Sequence, residues 1–134
     1  MISKKYKRKE AFRFVFNQPL DAQFSVLVNG RRIDSEMHPC KIIDISPRGM
    51  KVYTNSDISK IYNLPPESLQ FQMHFVLDIT RIQAIGYVRW SKPFGMGAHF
   101  GLQFKNQPDI EELIISEMKR RRRKEVISKK YIGF

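Results

Sequence analysis

The sequence predicts a mainly β protein, a small antiparallel β-barrel followed by one C-terminal α-helix. Three observations predict it. Short segments repeatedly place apolar side chains at every second position, the period of a strand with one buried face. Turn residues separate these segments at short intervals, so strands adjacent in sequence can pair antiparallel. From residue 108 the apolar spacing changes to three and four, the period of a helix.

Residues 1–10 are polar, charged and without apolar periodicity, and read as a flexible basic arm; the barrel with the start of the helix is assigned to 11–118, and a basic helix end and tail to 119–134. Phe12, Phe14 and Phe16 alternate with Arg13 and Val15 and begin a strand that Pro19 is expected to interrupt. Leu20, Ala22, Phe24, Val26 and Val28 continue at period two. Asn29 and Gly30 mark a hairpin, because both tolerate positive φ. Residues 31–39 read as a hairpin return or loop, and 40–45 as a short apolar strand. Ser46, Pro47, Arg48 and Gly49 form a turn, after which 50–53 resume an extended pattern.

Residues 54–68, with Pro65 and Pro66, read as a long loop. Leu69, Phe71, Met73, Phe75 and Leu77 alternate, then Ile82, Ala84, Gly86, Val88 and Trp90 after a short turn. Residues 92–97 form a glycine-punctuated loop, and Phe100, Leu102 and Phe104 mark the last strand. Pro108 suits the first position of a helix. Acidic Asp109, Glu111 and Glu112 suit its start, and the basic run 119–124 its end. Ile110, Leu113, Ile114 and Met118 share one face of a helix of about four turns. Glu117 is placed to pair with Arg121. The sum is six or seven short strands and one helix that covers a barrel opening or an edge.

A chain of 134 residues that is 42% hydrophobic, with ten Phe, five Tyr and one Trp, has material for one core and favours one domain. No apolar run approaches the ~20 residues of a membrane helix, and no apolar core follows the basic N-terminus, so a cytoplasmic address is expected. Cys40 is the single cysteine, which excludes an intramolecular disulfide and a thiolate metal cage; its apolar setting makes it a buried small hydrophobe. His38, His74 and His99 lack metal-ligand spacing. No nucleophile elbow, phosphate-loop lysine motif or dinucleotide fingerprint occurs, so neither an enzyme nor a bound cofactor is expected.

The net charge of +11 favours anionic partners. Six basic groups lie within residues 1–13 and eight within 119–130. Four consecutive arginines, Arg120, Arg121, Arg122 and Arg123, encircle a helix and exceed what capping requires. Residues 119–124 therefore read either as a solvated helix end or as a patch for nucleic acid, acidic protein or an anionic surface.

Two segments carry candidate chemistry. In the first, Asp44 offers acceptors to backbone amides or a guanine edge, Ser46 can bond phosphate or hold the turn, and Gly49 permits a close backbone approach. A purely structural Asx-type turn uses the same residues. In the second, Arg8 and Lys9 precede Glu10, and Arg13 sits between Phe12 and Phe14. Lys9 and Arg13 share a face in extended chain. A guanidinium there can fork onto phosphate or a guanine edge and stack on a base, or belong simply to a solvated arm.

Together these segments resemble the PilZ domain family, whose fingerprint is Arg-x-x-x-Arg followed further on by Asp/Asn-x-Ser-x-x-Gly. Asp44, Ser46 and Gly49 match the second motif and Arg13 the last arginine of the first. Arg8 resembles the extra arginine that often precedes it, while Lys9 stands where a motif arginine is expected. The likeness continues through Gly86 to Trp90, residues 92–97 and Phe100 to Phe104.

The resemblance implies a six-stranded antiparallel barrel with a C-terminal helix, acting as a bacterial cyclic di-GMP receptor that signals to a downstream protein. The ligand would lie on the outer barrel surface under an arm that becomes ordered over it. Arg8 and Arg13 would bind phosphate and guanine edges, Asp44 would accept from guanine N1–H and the amino group, and Ser46 and Gly49 would hold the turn. Arg48 would add phosphate charge or face solvent, and Trp90 would wall the site or join the core. Lys9 supplies charge without the planar fork, which weakens binding by roughly ten- to a hundredfold. Arg8 leans the stoichiometry toward an intercalated ligand pair. The alternatives are a basic barrel that binds nucleic acid through surface aromatics among cations, and an adaptor of the same fold that has lost its ligand.

Overall fold

In a computed structural model of the chain, the structure describes residues 12–33, 35–58, 61 and 63–132, with the backbone alone at 128–132. The described residues form seven strands and one α-helix: β1 Phe14–Val28, β2 Arg31–Arg32, β3 His38–Ser46, β4 Gly49–Thr54, β5 Leu69–Val76, β6 Arg81–Phe94, β7 Gly97–Phe104 and α1 Pro108–Ile132. The sheet runs β2-β1-β3-β4-β7-β6-β5, and β1 also pairs with β5. That pairing closes six strands into an antiparallel barrel, with β2 as a short extra strand.

Closure depends on the length of β1. Its first part pairs with β3, from Phe14↔Ile45 to Phe24↔His38, and its second with β5, from Gln23↔His74 to Val28↔Leu69. Pro19 does not interrupt the strand as expected. It sits, exposed, inside the register shift between Val15 and Leu20, where no partner is opposite and its missing N–H breaks no ladder. Asn29 (φ 51°) and Gly30 (φ 82°) make the tight turn into β2.

Inward side chains at period two fill the barrel. Phe24 stacks on Phe71 at 4.3 Å between centroids, and Phe71 meets Phe100 at 5.0 Å. Within the loop expected at 54–68, Ile58 and Ile61 are buried and Pro66–Ser68 forms a short 3₁₀ turn. β3 and β6 outrun their expected ends. β3 begins at His38 and takes in Pro39 at an exposed position, and β6 continues to Phe94 before turning at Gly95 (φ 58°). Cys40 is buried, and burial, with a smaller push from the Asp21 charge, raises its thiol pKa to about 12.

The helix is 25 residues long, about seven turns rather than four. Lys, Arg and Glu are good helix formers, so the basic run continues the helix instead of ending it. Ile114 and Met118 enter the core, with Ile110 and Leu113 packed at its margin. Glu117, fully buried, does not pair with Arg121 as its spacing predicts. Its Oε1 accepts from the backbone N–H groups of Asp78 (3.3 Å), Ile79 (3.0 Å) and Thr80 (2.8 Å), the turn between β5 and β6. Arg121 instead donates to the Leu77 carbonyl at 2.9 Å and to Glu125 at 3.1 Å, and lies over the Phe16 ring at 5.1 Å. Arg122 lies over Phe14 at 5.3 Å, and Lys124 donates to Asp78 at 2.7 Å. The helix is thus fastened both to the β5–β6 turn and to the start of β1.

Two outcomes check this packing. Glu117→Ala leaves three turn amides without their acceptor and should lower unfolding free energy by about 2–4 kcal/mol in chemical denaturation; a loss below half a kcal/mol would show the turn to be held otherwise. Cys40 should resist a water-soluble thiol reagent at pH 8 in the native protein and react once denaturant is added, because burial removes both access and thiolate.

Candidate functional site

The turn between β3 and β4 is built from its own sequence. Ser46 and Gly49 pair across it, Ser46 Oγ accepts from the Arg48 N–H at 3.3 Å, and the same hydroxyl donates to the Gly49 carbonyl at 3.3 Å. The turn is tied to β7 by Phe104 N–H donating to the Arg48 carbonyl at 2.8 Å. Gly49 is required sterically, since a Cβ there would stand 2.3 Å from the Leu102 carbonyl oxygen. Ser46 therefore holds the bend, one of the two roles its residue type allows.

Asp44 lies two strand positions before Ser46, opposite Val15 of β1. Its carboxylate is nearly buried, with 12% of the side chain exposed, and Arg13 Nη1 reaches to 3.6 Å from it; the Arg13 side chain is 59% exposed. The β1–β3 ladder thus brings together two residues distant in sequence. Arg48 also points to this side, with Nε 3.7 Å from Glu111 at the helix start.

Trp90 is on the surface, 46% exposed, rather than in the core. Its even position in the run from Ile82 predicts an inward ring, but a bulge between Val88 and Trp90 resets the register. Trp90 then pairs with Gly101, and its indole lies against that residue: a Cβ on Gly101 would stand 2.0 Å from Nε1. Gly101 is the seat of the ring.

These groups surround one surface cavity of about 300 Å³. Arg13, Ser46, Arg48, Gly49 and Trp90 all line it, and Asp44 stands behind Arg13. Arg8 and Lys9 lie outside the described residues. Sequence reasoning missed the three further polar side chains of the lining, Lys51, Arg89 and Gln103. Arg89 donates to Gln103 at 2.7 Å and lies over the Tyr87 ring at 5.7 Å. Lys51 and Arg89 were legible as outward members of their alternating strands; what leaves no mark in the spacing is the bulge that turns Trp90 to the same side as Arg89.

Four cations, a carboxylate and an open indole face suit an anionic ligand with a planar base. Guanidinium groups fork onto phosphate, a carboxylate accepts paired N–H donors, and indole offers a stacking surface. A larger groove of about 760 Å³ runs over Asp21, Gln23, Lys41, Tyr53, His74 and Arg81. There Lys41 is engaged by Asp21, and the convergence of guanidinium groups around an aromatic face is missing; chemistry rather than size selects the smaller cavity.

The family model described as PilZ domain matches residues 5–120 of the chain. No curated protein matches it.

The two glycines should respond differently to alanine. Gly49→Ala drives a Cβ into backbone and should lower the thermal midpoint by several degrees. Gly101→Ala meets the side chain of the chain's one tryptophan and should shift its emission to the red, with the far-ultraviolet circular dichroism retained; unshifted emission would mean that the indole does not rest on Gly101.

Proposed function

The chain belongs to the PilZ domain family, and we propose that it is a receptor for cyclic di-GMP, with the ligand seated at the bend between β3 and β4. PilZ domains are binding and effector domains rather than enzymes. What carries the reading is the position of Arg13, within 3.6 Å of Asp44 at the edge of the cavity walled by Trp90. Each of the three supplies a different part of nucleotide recognition.

Arg13 forks onto a phosphate or the Hoogsteen edge of guanine, and Asp44 accepts from guanine N1–H and the amino group. Before ligand arrives the two groups hold each other. Water reaches the Arg13 side of this pair and screens it, and the ligand's N–H donors take over from the guanidinium at the nearly buried carboxylate. Trp90 stacks on a base, Arg48 adds phosphate charge, and Ser46 and Gly49 shape the bend. Arg8 and Lys9 complete the phosphate contacts as the N-terminal arm closes over the ligand and changes its order. Lys9 lowers affinity, and Arg8 together with the exposed indole favours an intercalated pair. The ligated receptor then signals to a downstream protein from the cytoplasm; the cations of 119–124 provide a contact for an acidic partner, nucleic acid or an anionic surface. Among the described residues no helix is long and apolar enough to cross a membrane.

Cyclic di-GMP at a hundred times its dissociation constant stabilises the folded state by about 2.7 kcal/mol, which raises the thermal midpoint by several degrees. Arg13→Ala should remove most of that shift and Arg123→Ala, on the exposed side of the helix, almost none. Residues 1–9 should gain protection from protease in the presence of ligand. A wild-type midpoint that does not move at millimolar ligand would instead favour an adaptor that has lost its nucleotide. Equal losses in the two variants would reduce the effect to nonspecific charge.

A further inference from the structure

β4, β5, β6 and β7 contain no Asp or Glu at any position, although they contain Lys51, Arg81, Arg89 and Lys92. On the outer face of three of these strands the pairings create rows. Lys51, Gly101 and Trp90 make one row across β4, β7 and β6. Tyr53, His99 and Lys92 make the next, and Gly97 and Phe94 the last. Phe94 is 59% exposed and stacks on His99 at 4.5 Å between centroids; Tyr53 meets Phe94 edge-on at 5.9 Å and His99 at 5.5 Å. Burial first, and then the charges of Lys51 and Lys92, lower the His99 pKa, which marks the local field as positive and keeps this ring neutral and stackable at pH 7.

We propose that this outer face of β4, β7 and β6 binds single-stranded nucleic acid, with bases stacked on Phe94 and Tyr53 and phosphates held by Lys92 and Lys51. A second copy of the chain is disfavoured there, because the same cations would meet each other. Flat aromatic faces set among cations on a small barrel fit unpaired bases, whereas a duplex hides its base faces and would use the lysines alone. Trp90 and Phe94 are four strand positions apart, about 13 Å, a span that about four stacked nucleotides cover at roughly 3.4 Å each. The strip shares Lys51 and Trp90 with the Asp44 cavity, whereas Tyr53, Lys92 and Phe94 of the second and third rows lie outside it and carry the inference independently of the dinucleotide reading.

The test uses fluorescence anisotropy of labelled 12-nucleotide single-stranded DNA and RNA with the full chain. A duplex of equal length and a polyglutamate of equal charge serve as competitors. We expect the single strand to bind more tightly than either polyanion. Phe94→Ala should weaken it about fivefold or more, the lower end of what one lost base–aromatic stack produces, and Phe94→Trp should restore it. Lys92→Ala should reduce the slope of log affinity against log salt by about 0.7. The thermal response of Phe94→Ala to cyclic di-GMP should match that of the wild type. Polyglutamate competing as well as DNA, or Phe94→Ala binding like the wild type, would overturn the proposal and leave attraction by the basic helix. An absence of binding overturns it too and assigns the exposed tip to a protein. A Phe94→Ala variant that loses the dinucleotide response would make this face part of that ligand's site.

Discussion

β1 pairs with β3 along its first part and with β5 along its second, and no other strand in the barrel does both jobs. Both sides of the β1 register shift between Val15 and Leu20 pair with β3, and the seam with β5 begins only at Gln23. Past the shift, the leading end of β1 still lies against β3. Val15 then faces Asp44, which lets Arg13 reach that carboxylate, and Phe14 and Phe16 turn toward the arginines of the helix. The strand that closes the barrel at its far end thus also places Arg13 at the candidate site with its leading end.

The helix anchors that strand from the other side. Buried Glu117 gathers three turn amides between β5 and β6, while Arg121 joins the Leu77 carbonyl to the Phe16 ring. A buried carboxylate is tolerated where several donors converge on it. The basic run consequently divides its work. Arg121, Arg122 and Lys124 face the barrel and its turn, whereas Arg123 faces solvent. The end of β1 that carries Arg13 and the helix therefore share contacts, so a movement of one is felt by the other.

Charge is distributed by sign as well as by sequence end. β4, β7 and β6 carry no carboxylate of their own; exposed Asp57 stands beside Gly97, and at the border of their outer face Asp44 and Glu111 stand next to Arg13 and Arg48. Those two border acids orient guanidinium groups at the cavity. One barrel surface thus sets a pocket framed by acids beside a strip of exposed aromatic rings.

Period-two alternation, the Asn29–Gly30 turn and the Pro108 helix start were all legible from the chain, because burial on one face and the φ preferences of glycine and proline act locally. The bend motif was legible for the same reason: Ser46, Arg48 and Gly49 satisfy one another within four residues. What the tertiary structure alone decided depends on partners distant in sequence. Pro19 is accommodated because β3 leaves it unopposed, Glu117 serves a turn 37 to 39 residues away, and Trp90 reaches the surface because a bulge against β7 shifts its register onto Gly101. A side chain's face follows from its own strand only while the register is regular; once a bulge intervenes, the neighbouring strand determines it.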